Sequence, residues 1–313
     1  MNLERLRTLH AVSVYGSVAA AARALRITPS AASQQLAKLE REVGQRLFER
    51  EGRGIRLTEP AHRLVGHAHR ILAAVEEAQA DLEEHRGTVY GELNIAAFAT
   101  AVRGLAPSLI TALQTEYPEL VVRVYEQDPS ASLPALAHGT IDVAITQDWQ
   151  AAPTFLPEGL ASATLFHDVV DLAVPVDHRF ARADVVDPAD LAGERWISWP
   201  HGSTCHDWLV RTLRARGVEP QVTHSVSEHP TQLALIAAGH GIGIVPRLGR
   251  ETIPAGVRTV RLEPSLARRI QAVWRAGTIR RPAISAALRV LTATDPDSHQ
   301  IVGACAGPRQ ERG

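Results

Sequence analysis

Residues 17–42 read SVAAAARALRITPSAASQQLAKLERE, and their spacing predicts two short helices joined by a three-residue turn. Ser17 is suited to cap the first helix and Thr28 the second, where Pro29 takes a first helical position that needs no N–H. On the second helix, apolar residues recur at steps of four, three and four, at Ala32, Leu36, Leu39 and Val43. This periodicity predicts one buried face and one exposed face.

The exposed face of the second helix is rich in hydroxyl, amide and cationic groups. Such groups hydrogen-bond to base edges and pair with phosphates when a helix lies in a DNA major groove. The predicted DNA-contacting residues here are Thr28, Ser30, Ser33, Gln34 and Lys38. An ordinary amphipathic helical hairpin also has a polar outer face, so the hairpin by itself leaves that alternative open.

A basic segment with several glycines follows the hairpin. It reads GQRLFEREGRGIRLTEP (44–60), and Arg50, Arg53 and Arg56 alternate along it. A ribbon of this kind beside a recognition helix can reach backbone phosphates or a minor groove. Residues 1–65 hold 11 Lys and Arg against 6 Asp and Glu, whereas the rest holds 22 against 28. A basic head on an acidic body favours nucleic-acid binding by the head alone.

From Thr58 to about Arg86 the chain shows no strand or turn signal, and apolar residues recur at alternating steps of three and four. This pattern predicts one long helix whose narrow apolar seam pairs with a second copy of the chain. The seam residues are Ala61, Leu64, Ala68, Ile71, Val75, Ala78 and Leu82. Acidic residues off the seam, including Glu76, Asp81 and Glu83, are expected to stay in water. The alternative is a helix packed on its own domain.

Residues 3–61 resemble the N-terminal domain of the LysR-type bacterial transcriptional regulators. The matching segments are LRTL (6–9), GSVAAAA (16–22), LRITPSAASQQLAKLEREVG (25–44), RLFER (46–50) and GRGIRLTEPA (52–61). Leu9 stands where that family usually has an aromatic residue, and His62 stands where a glycine is usual. The resemblance implies a winged helix-turn-helix dimer that binds operator DNA, with a ligand-sensing region behind it.

From Tyr90 the pattern changes to alternating strands and helices, beginning with the strand-like segments 92–98, 121–127 and 141–146. Such alternation predicts a mainly parallel sheet in two lobes, with strand crossings near 165–175 and 268–276. The family resemblance continues more weakly here, in LNIAAFATAVRGLAP, GTIDVAI and AAGHGIGIVP. It implies an effector domain similar to periplasmic solute-binding proteins.

We therefore predict a multi-domain α + α/β protein. It comprises a winged helix-turn-helix head, a long linker helix and a two-lobed α/β effector domain. The predicted bounds are 1–58 for the head, 59–88 for the linker and dimerisation helix, 89–164 with 268–294 for lobe 1, 165–267 for lobe 2 and 295–313 for a mobile tail.

Polar residues follow several predicted strands, at the edge where open α/β sheets bind ligands and helix N-termini offer free N–H groups. The candidate effector-binding residues are Thr100, Arg103, Gln127, Thr146, Ser198, Ser203, Thr204, His229 and Thr231. The family resemblance also implies a hydroxyl against the effector at Thr100. Arg103 and the helix N-termini favour an anionic effector, whereas Ser203, Thr204 and Thr231 each fit a simple helix cap.

Other signals carry less weight. Gly239, Gly241 and Gly243 follow a helix and precede a strand, the reverse of the order in a dinucleotide site. Histidines near Cys205 lack the paired spacing of a zinc site, and no nucleophile elbow supports a hydrolase. We expect no metal, cofactor or enzymatic activity. Cys205 and Cys305 are too few for a disulfide framework, and a redox role for Cys205 stays open.

The chain has no run of 18 apolar residues and no signal peptide, so a cytoplasmic protein without membrane contact is expected. The leading hypothesis is a transcription factor that binds double-stranded operator DNA as a homodimer or homotetramer, responds to a small effector and contacts RNA polymerase. The alternative is a cytoplasmic solute-binding or enzymatic α/β protein with an accessory helical head.

Overall fold

The computed structural model describes residues 1–51, 54–86, 88–149, 156–157, 159–250 and 252–293. Within these ranges, the side chains of Arg50, Glu51, Gln79, Glu84 and Arg86 are not described. The predicted wing residue Arg53 and the predicted tail 295–313 lie outside the described residues.

Three helices and a two-stranded ribbon form the head. They are α1 (Leu3–Tyr15), α2 (Val18–Ala24), α3 (Pro29–Val43), β1 (Phe48–Glu51) and β2 (Gly54–Leu57). The Ser17 hydroxyl caps α2 by accepting the Ala20 N–H at 3.2 Å, and the Thr28 hydroxyl caps α3 by accepting the Ala31 N–H at 3.1 Å. Both helices of the predicted hairpin are confirmed, with the caps that their sequence indicates.

Hydrogen bonds from α3 fix the orientation of the β1–β2 ribbon. Ala32, Leu36 and Leu39 of α3 are buried in a core shared with α1. From the same helix, the Glu40 carboxylate accepts the backbone N–H groups of Leu47 and Phe48, at 2.8 and 3.2 Å. Because these bonds tie the start of β1 to the helix, the ribbon and α3 are presented as one rigid unit.

The long helix α4 (Glu59–Arg86) packs on the head with its first half. Ala61 and Ala68 are buried in the head core, and Leu64 and Ile71 lie half-buried against it. For this half of the seam, the structure therefore favours the alternative of a helix packed on its own domain, because the head core covers these residues.

The acidic face of α4 also differs from the expectation. Glu76 and Glu83 are half-buried and Asp81 is exposed, and all three pair with arginines at and beyond the end of the last long strand. The pairs are Glu76 with Arg275, Asp81 with Arg280 and Glu83 with Arg281, at 2.8, 3.1 and 3.2 Å. The second half of α4 is thereby held against the effector region.

Beyond α4, the described chain begins with the predicted alternation of strands and helices but also contains runs of consecutive strands. The strands are β3 (Gly91–Ala97), β4 (Leu120–Glu126), β5 (Val143–Trp149), β6 (Leu160–Pro175), β7 (Val185–Val186), β8 (Arg195–Ser198), β9 (Gln221–Ser225), β10 (Gly243–Pro246), β11 (Val257–Leu262) and β12 (Leu266–Arg275). The helices are α5 (Ala99–Glu116), α6 (Pro129–Ala137), α7 (Thr204–Arg214), α8 (His229–Ala237) and α9 (Pro282–Ala293).

Two strands, β6 and β12, run through both halves of the main sheet. The strand order is β4-β3-β5-β12-β6-β11-β7, with β10 also paired to β6 and with β8-β9 as a separate parallel pair. β3 is parallel to β4 and β5, whereas β12 is antiparallel to both β5 and β6. The sheet is thus mixed rather than mainly parallel, because the crossing strands run against their neighbours.

Separate apolar cores lie on the two sides of these crossing strands. We call lobe 1 the elements packed around Leu93, Ile95, Leu105 and Val143, and lobe 2 those packed around Trp196, Trp208, Ile244 and Val260. The place where they meet, around Arg268 at the start of β12, is called the interlobe junction. The residue bounds of the two lobes stay a prediction.

Candidate DNA-binding face and effector site

One face of α3 presents all the DNA-contacting residues predicted on that helix. Their side chains are exposed, while the apolar residues of α3 point into the head core. The exposed set is Thr28, Ser30, Ser33, Gln34 and Lys38. A rigid helix with hydroxyl, amide and ammonium groups on its outer face has the chemistry that major-groove base edges and phosphates require.

The ribbon stands beside α3 as an antiparallel pair of strands. Glu49 and Arg56 face each other across it, and the Arg56 guanidinium donates to the Glu49 carboxylate at 2.9 Å. Both side chains are exposed, so this pair holds Arg56 only weakly. The side chain of Arg50 and all of Arg53 lie outside the described residues. Arg56 is therefore the one predicted wing contact whose side chain the structure locates.

The second half of the α4 seam remains largely uncovered. Val75 is half-buried, whereas Ala78 and Leu82 are exposed, with Leu82 68% exposed. A leucine this exposed on a regular helix leaves an apolar stripe available to a second copy of the chain.

A buried arginine connects the elements of the interlobe junction. Arg268 is 2% exposed, and its guanidinium donates to the Asp168 carboxylate at 2.8 Å and to the Thr100 hydroxyl at 2.7 Å. A third bond, of 2.5 Å, goes to the side-chain oxygen of Gln147. Asp168 neutralises the cation, so the junction has a satisfied core of polar groups.

Gln147 extends this network to lobe 2. Its amide N–H donates to the Cys205 sulfur at 3.3 Å, near the start of α7. Burial raises the pKa of the Cys205 thiol. Because oxidants react with the thiolate, a raised pKa works against a redox role for Cys205.

The predicted lobe 2 residues on β8 and α7 lie around His206, the residue that follows Cys205 in the chain. Ser198 is buried, and its hydroxyl lies 3.4 Å from His206 Nδ1. Ser203 caps α7, because its hydroxyl accepts the His206 N–H at 3.3 Å. Thr204 is the first residue of α7. Ser203 is thus a helix cap, which is the structural role that its sequence position also allowed.

The starts of α5 and α8 add cationic and neutral groups to the junction. Arg103 donates from Nε to the Gly249 carbonyl at 3.0 Å. Burial, assisted by the charges of Arg268 and Arg103, lowers the pKa of His229 to about 4. Its Nδ1 is buried without a hydrogen-bond partner in the described chain. The N-caps of α5 and α8 make no side-chain cap bond, so backbone N–H groups stay open at both helix starts.

Three predicted effector residues lie away from this group. Thr146 is buried in β5 and precedes Gln147, so its side chain points to the opposite face of the sheet. Gln127 lines a cavity of about 430 Å³ between α2 of the head and lobe 1. Thr231 is exposed on α8. Strand alternation and the docked head thus place Thr146 and Gln127 away from the junction, and their contact with an effector stays a prediction.

Sequence reasoning missed Arg268 and Asp168. Both lie inside predicted crossing strands, where an arginine is normally assigned to the exposed face. The available signal was a pair of charged residues in otherwise apolar strands, since burial of such groups requires a partner.

Within the described chain, no three His, Cys, Asp or Glu side chains are arranged to hold a metal ion. A search of the described helices finds none with the length and apolar character needed to cross a membrane.

Comparison with known proteins defines the class. Residues 3–62 match the bacterial regulatory helix-turn-helix protein model of the lysR family, and residues 86–295 match the LysR substrate binding domain. The uncharacterized HTH-type transcriptional regulator YnfL of Escherichia coli is 30% identical over 79% of this chain and 83% of its own. A probable RuBisCO transcriptional regulator of Cyanidioschyzon merolae is 33% identical over 69% of this chain and 71% of its own.

Solved structures share the whole architecture. A full-length OxyR variant of Pseudomonas aeruginosa has a TM-score of 0.67 at 21% identity, covering 93% of this chain and 94% of that one. Full-length CbnR complexed with its target DNA has a TM-score of 0.55 at 23% identity, covering 94% and 99%.

The chain therefore belongs to the LysR family of bacterial transcriptional regulators. It is a ligand-responsive, DNA-binding regulator of transcription and not an enzyme, and the alternative of a solute-binding or enzymatic protein is set aside.

Proposed function

We propose that this regulator binds double-stranded operator DNA as a homodimer or homotetramer, with α3 in the major groove and the β1–β2 ribbon on the backbone. The observation that supports this most is the exposed polar face of α3 on a helix whose opposite face buries Ala32, Leu36 and Leu39 in the head core. Thr28, Ser30, Ser33 and Gln34 are assigned to base edges and nearby phosphates, and Lys38, Arg50, Arg53 and Arg56 to phosphates.

Salt dependence tests the DNA assignment. A head that neutralises phosphates releases counterions, so its affinity for DNA falls steeply as salt rises. We expect the full chain to lose affinity for random duplex DNA by at least tenfold between 50 and 200 mM salt, on the order that several phosphate contacts imply. An affinity that stays constant over this range contradicts the assignment.

Self-association is assigned to the uncovered part of the α4 seam, at Val75, Ala78 and Leu82. Ala61, Leu64, Ala68 and Ile71, which were also predicted for dimerisation, are assigned to head packing instead, since the head core covers them. An isologous pairing of two α4 helices places two heads on two half-sites of one operator.

The effector site is assigned to the interlobe junction, at Thr100, Arg103, Ser198, Ser203, Thr204 and His229. Open N–H groups at α5 and α8, together with Arg103, favour a small anion. The pKa of His229 is lowered to about 4 mainly by burial, and the smaller contribution from the charges of Arg268 and Arg103 also indicates a site of positive potential. Arg268 contributes little net charge, since Asp168 neutralises it. A small carboxylate or phosphate ester fits these features.

A thermal-shift screen of the full chain against small metabolites tests the effector assignment. A ligand that binds only the native state raises its stability by mass action. We expect stabilising compounds to be anions, and each to lose its effect when its acidic group is replaced by an amide. Stabilisation by cationic or neutral compounds alone contradicts the proposed anion site.

Contact with RNA polymerase and a cytoplasmic location complete the proposal. The proposed domain bounds are 1–58, 59–88, 89–164 with 268–294, and 165–267. They are supported by the separate apolar clusters of the head, lobe 1 and lobe 2.

A further inference from the structure

Three histidines from three different elements meet where the head joins lobe 1. His10 lies on α1, His69 lies on α4, and His138 directly follows α6. The ring centroids of His10 and His138 are 5.3 Å apart, and those of His10 and His69 are 5.7 Å apart. Tyr15 of α1 stacks on His138, with centroids 4.5 Å apart. Imidazole rings thus form a substantial part of the contact between the head and lobe 1.

The packing favours the neutral form of these rings. Burial, followed by the charges of His138 and His69, lowers the pKa of His10 to about 4. Burial also lowers the pKa of His138. The Nδ1–H of His138 donates to the Pro134 carbonyl at 2.6 Å. Its Nε2 is buried toward the His10 backbone without a hydrogen bond of normal geometry among the described residues. Burial therefore disfavours a second proton on this ring, and the backbone groups of Pro134 and His10 offset only part of that effect.

The charged groups that line the cavity beside the histidines are four arginines and two glutamates, so they carry a net positive charge. This cavity of about 970 Å³ lies between α1, α4 and lobe 1, and the charged groups are Arg7, Arg63, Arg70, Glu76, Glu77 and Arg275. Glu76 is already bound by Arg275 at 2.8 Å. The charges that act on the pKa of His10 are those of the other two histidines, and no described carboxylate is among them.

We propose that His10 and His138, packed beside the His69 ring, form a proton-sensitive latch that holds the head on lobe 1 and releases it when these two rings are protonated. Protonation adds like charges to rings that are partly buried against each other, whereas the released histidines are fully hydrated. Release changes where the head is held relative to the effector domain, and so changes DNA binding without an effector.

The direction of the pH dependence follows from linkage. His10 and His138 have a lower pKa in the docked state than the ordinary 6.5 of a released histidine. Docking is therefore fully stable above pH 6.5 and weakens as the pH falls from 6.5 toward 4. Each linked proton changes the ratio of docked to released molecules by about tenfold per pH unit within that window.

Small-angle X-ray scattering of the full chain at pH 7.5 and 5.0 tests the latch. We expect the radius of gyration to increase at pH 5.0 with unchanged circular dichroism, and the His10→Asn/His138→Asn double variant to stay compact. The matched control is His62→Asn/His85→Asn, which replaces two exposed histidines of α4 and should expand like the original chain. An original chain of constant radius, or a double variant that expands equally, overturns the proposal.

A second measurement needs no substitution at the latch. Histidine ring protons of the unaltered chain are followed by NMR across pH 7.5 to 4.5. We expect at least two histidines to titrate below 6.5, with midpoints that coincide with the expansion seen by scattering. Expansion that is accompanied by loss of helical circular dichroism, or that occurs without any such titration, shows acid unfolding instead and overturns the latch.

Discussion

At the scale of single residues, Arg268 organises the interlobe junction. Its guanidinium bridges Thr100 at the start of α5, Gln147 at the end of β5 and Asp168 on β6. The Phe98 ring lies under the guanidinium, 5.0 Å from the ring centroid. A buried cation with this many partners fixes the geometry of the site in which the effector is proposed to bind.

Replacing Arg268 should therefore destabilise the effector domain strongly. We expect Arg268→Ala to reduce the free energy of unfolding by about 3–5 kcal/mol, because Asp168 is left as a buried, unpaired charge. Urea denaturation monitored by tryptophan fluorescence measures this change. Arg258→Ala, at an exposed position of β11, is the matched control and should change stability by less than about 0.5 kcal/mol. Adding Asp168→Asn to Arg268→Ala should recover part of the loss, and an absence of recovery contradicts the assigned role.

Gln34 on the exposed face of α3 allows a test of base readout. Gln34→Ala should reduce the discrimination between operator and random DNA by about 1–3 kcal/mol, the usual value of a bidentate base contact. Lys38→Ala should weaken binding to both DNAs about equally, as loss of a phosphate contact does. Fluorescence anisotropy with both DNAs measures the difference. Gln45→Ala, at an exposed glutamine after α3, is the control. Equal losses on both DNAs for Gln34→Ala would remove Gln34 from the readout set.

At the scale of secondary-structure elements, the two halves of the apolar seam of α4 have different roles. Its first half completes the head core through Ala61 and Ala68, which are fully buried. Its second half exposes Leu82 while its acidic face pairs with arginines at and beyond the end of β12. The helix therefore links the head, the effector domain and, by proposal, the second copy of the chain.

Two substitutions on α4 should separate its role in head packing from its proposed role in self-association. Ile71→Asp should lower the melting temperature of the head, because it places a charge against an apolar core. Leu82→Asp should leave folding intact and weaken self-association. Circular dichroism melting and sedimentation velocity distinguish the two effects. Val121→Asp, at a 49% exposed valine of lobe 1, is the control for an added surface charge. A Leu82→Asp chain that associates like the original would show that the dimer forms elsewhere.

At the scale of the whole molecule, the head, α4 and lobe 1 dock closely. Gly159 lies directly against the His69 ring, in a conformation with φ of +84° that favours glycine. Arg275 strengthens the same contact by donating to Glu76 and to the carbonyl groups of Leu136 and Ile141. Because β12 contains both Arg268 and Arg275, one strand connects the interlobe junction to the linker helix.

The docking can be disturbed at Gly159 with a closely matched control. Gly159→Ala adds a methyl group where His69 lies, so we expect faster amide hydrogen exchange in α4 around His69. Gly217→Ala has a similar φ of +77° but no atom within 4 Å of the added carbon. It should show the backbone strain, about 1 kcal/mol, without the exchange effect. Equal exchange in the two variants would show that α4 is not held at Gly159.

The helices, their caps and the positions of strands in the sequence were predictable, because each depends on residues close together in the chain. Ser17 and Thr28 cap helices within three residues of themselves, and the spacing of Ala32, Leu36 and Leu39 identifies a buried face. Together with the family resemblance, these local signals predicted the DNA-binding face of α3 and placed Thr100 at the junction.

Tertiary structure alone decided which distant groups meet. Arg268 binds Thr100, which is 168 residues distant in sequence, and Arg275 binds Glu76, which is 199 residues distant. Local spacing in the sequence therefore predicts neither contact. The sequence also does not decide what covers the apolar seam of α4, since the spacing of that seam fits both the head core and a second helix. The spacing of apolar residues in the sequence indicates which face of a helix must be buried. The tertiary structure decides which surface buries that face, because the rest of the fold determines what lies next to it.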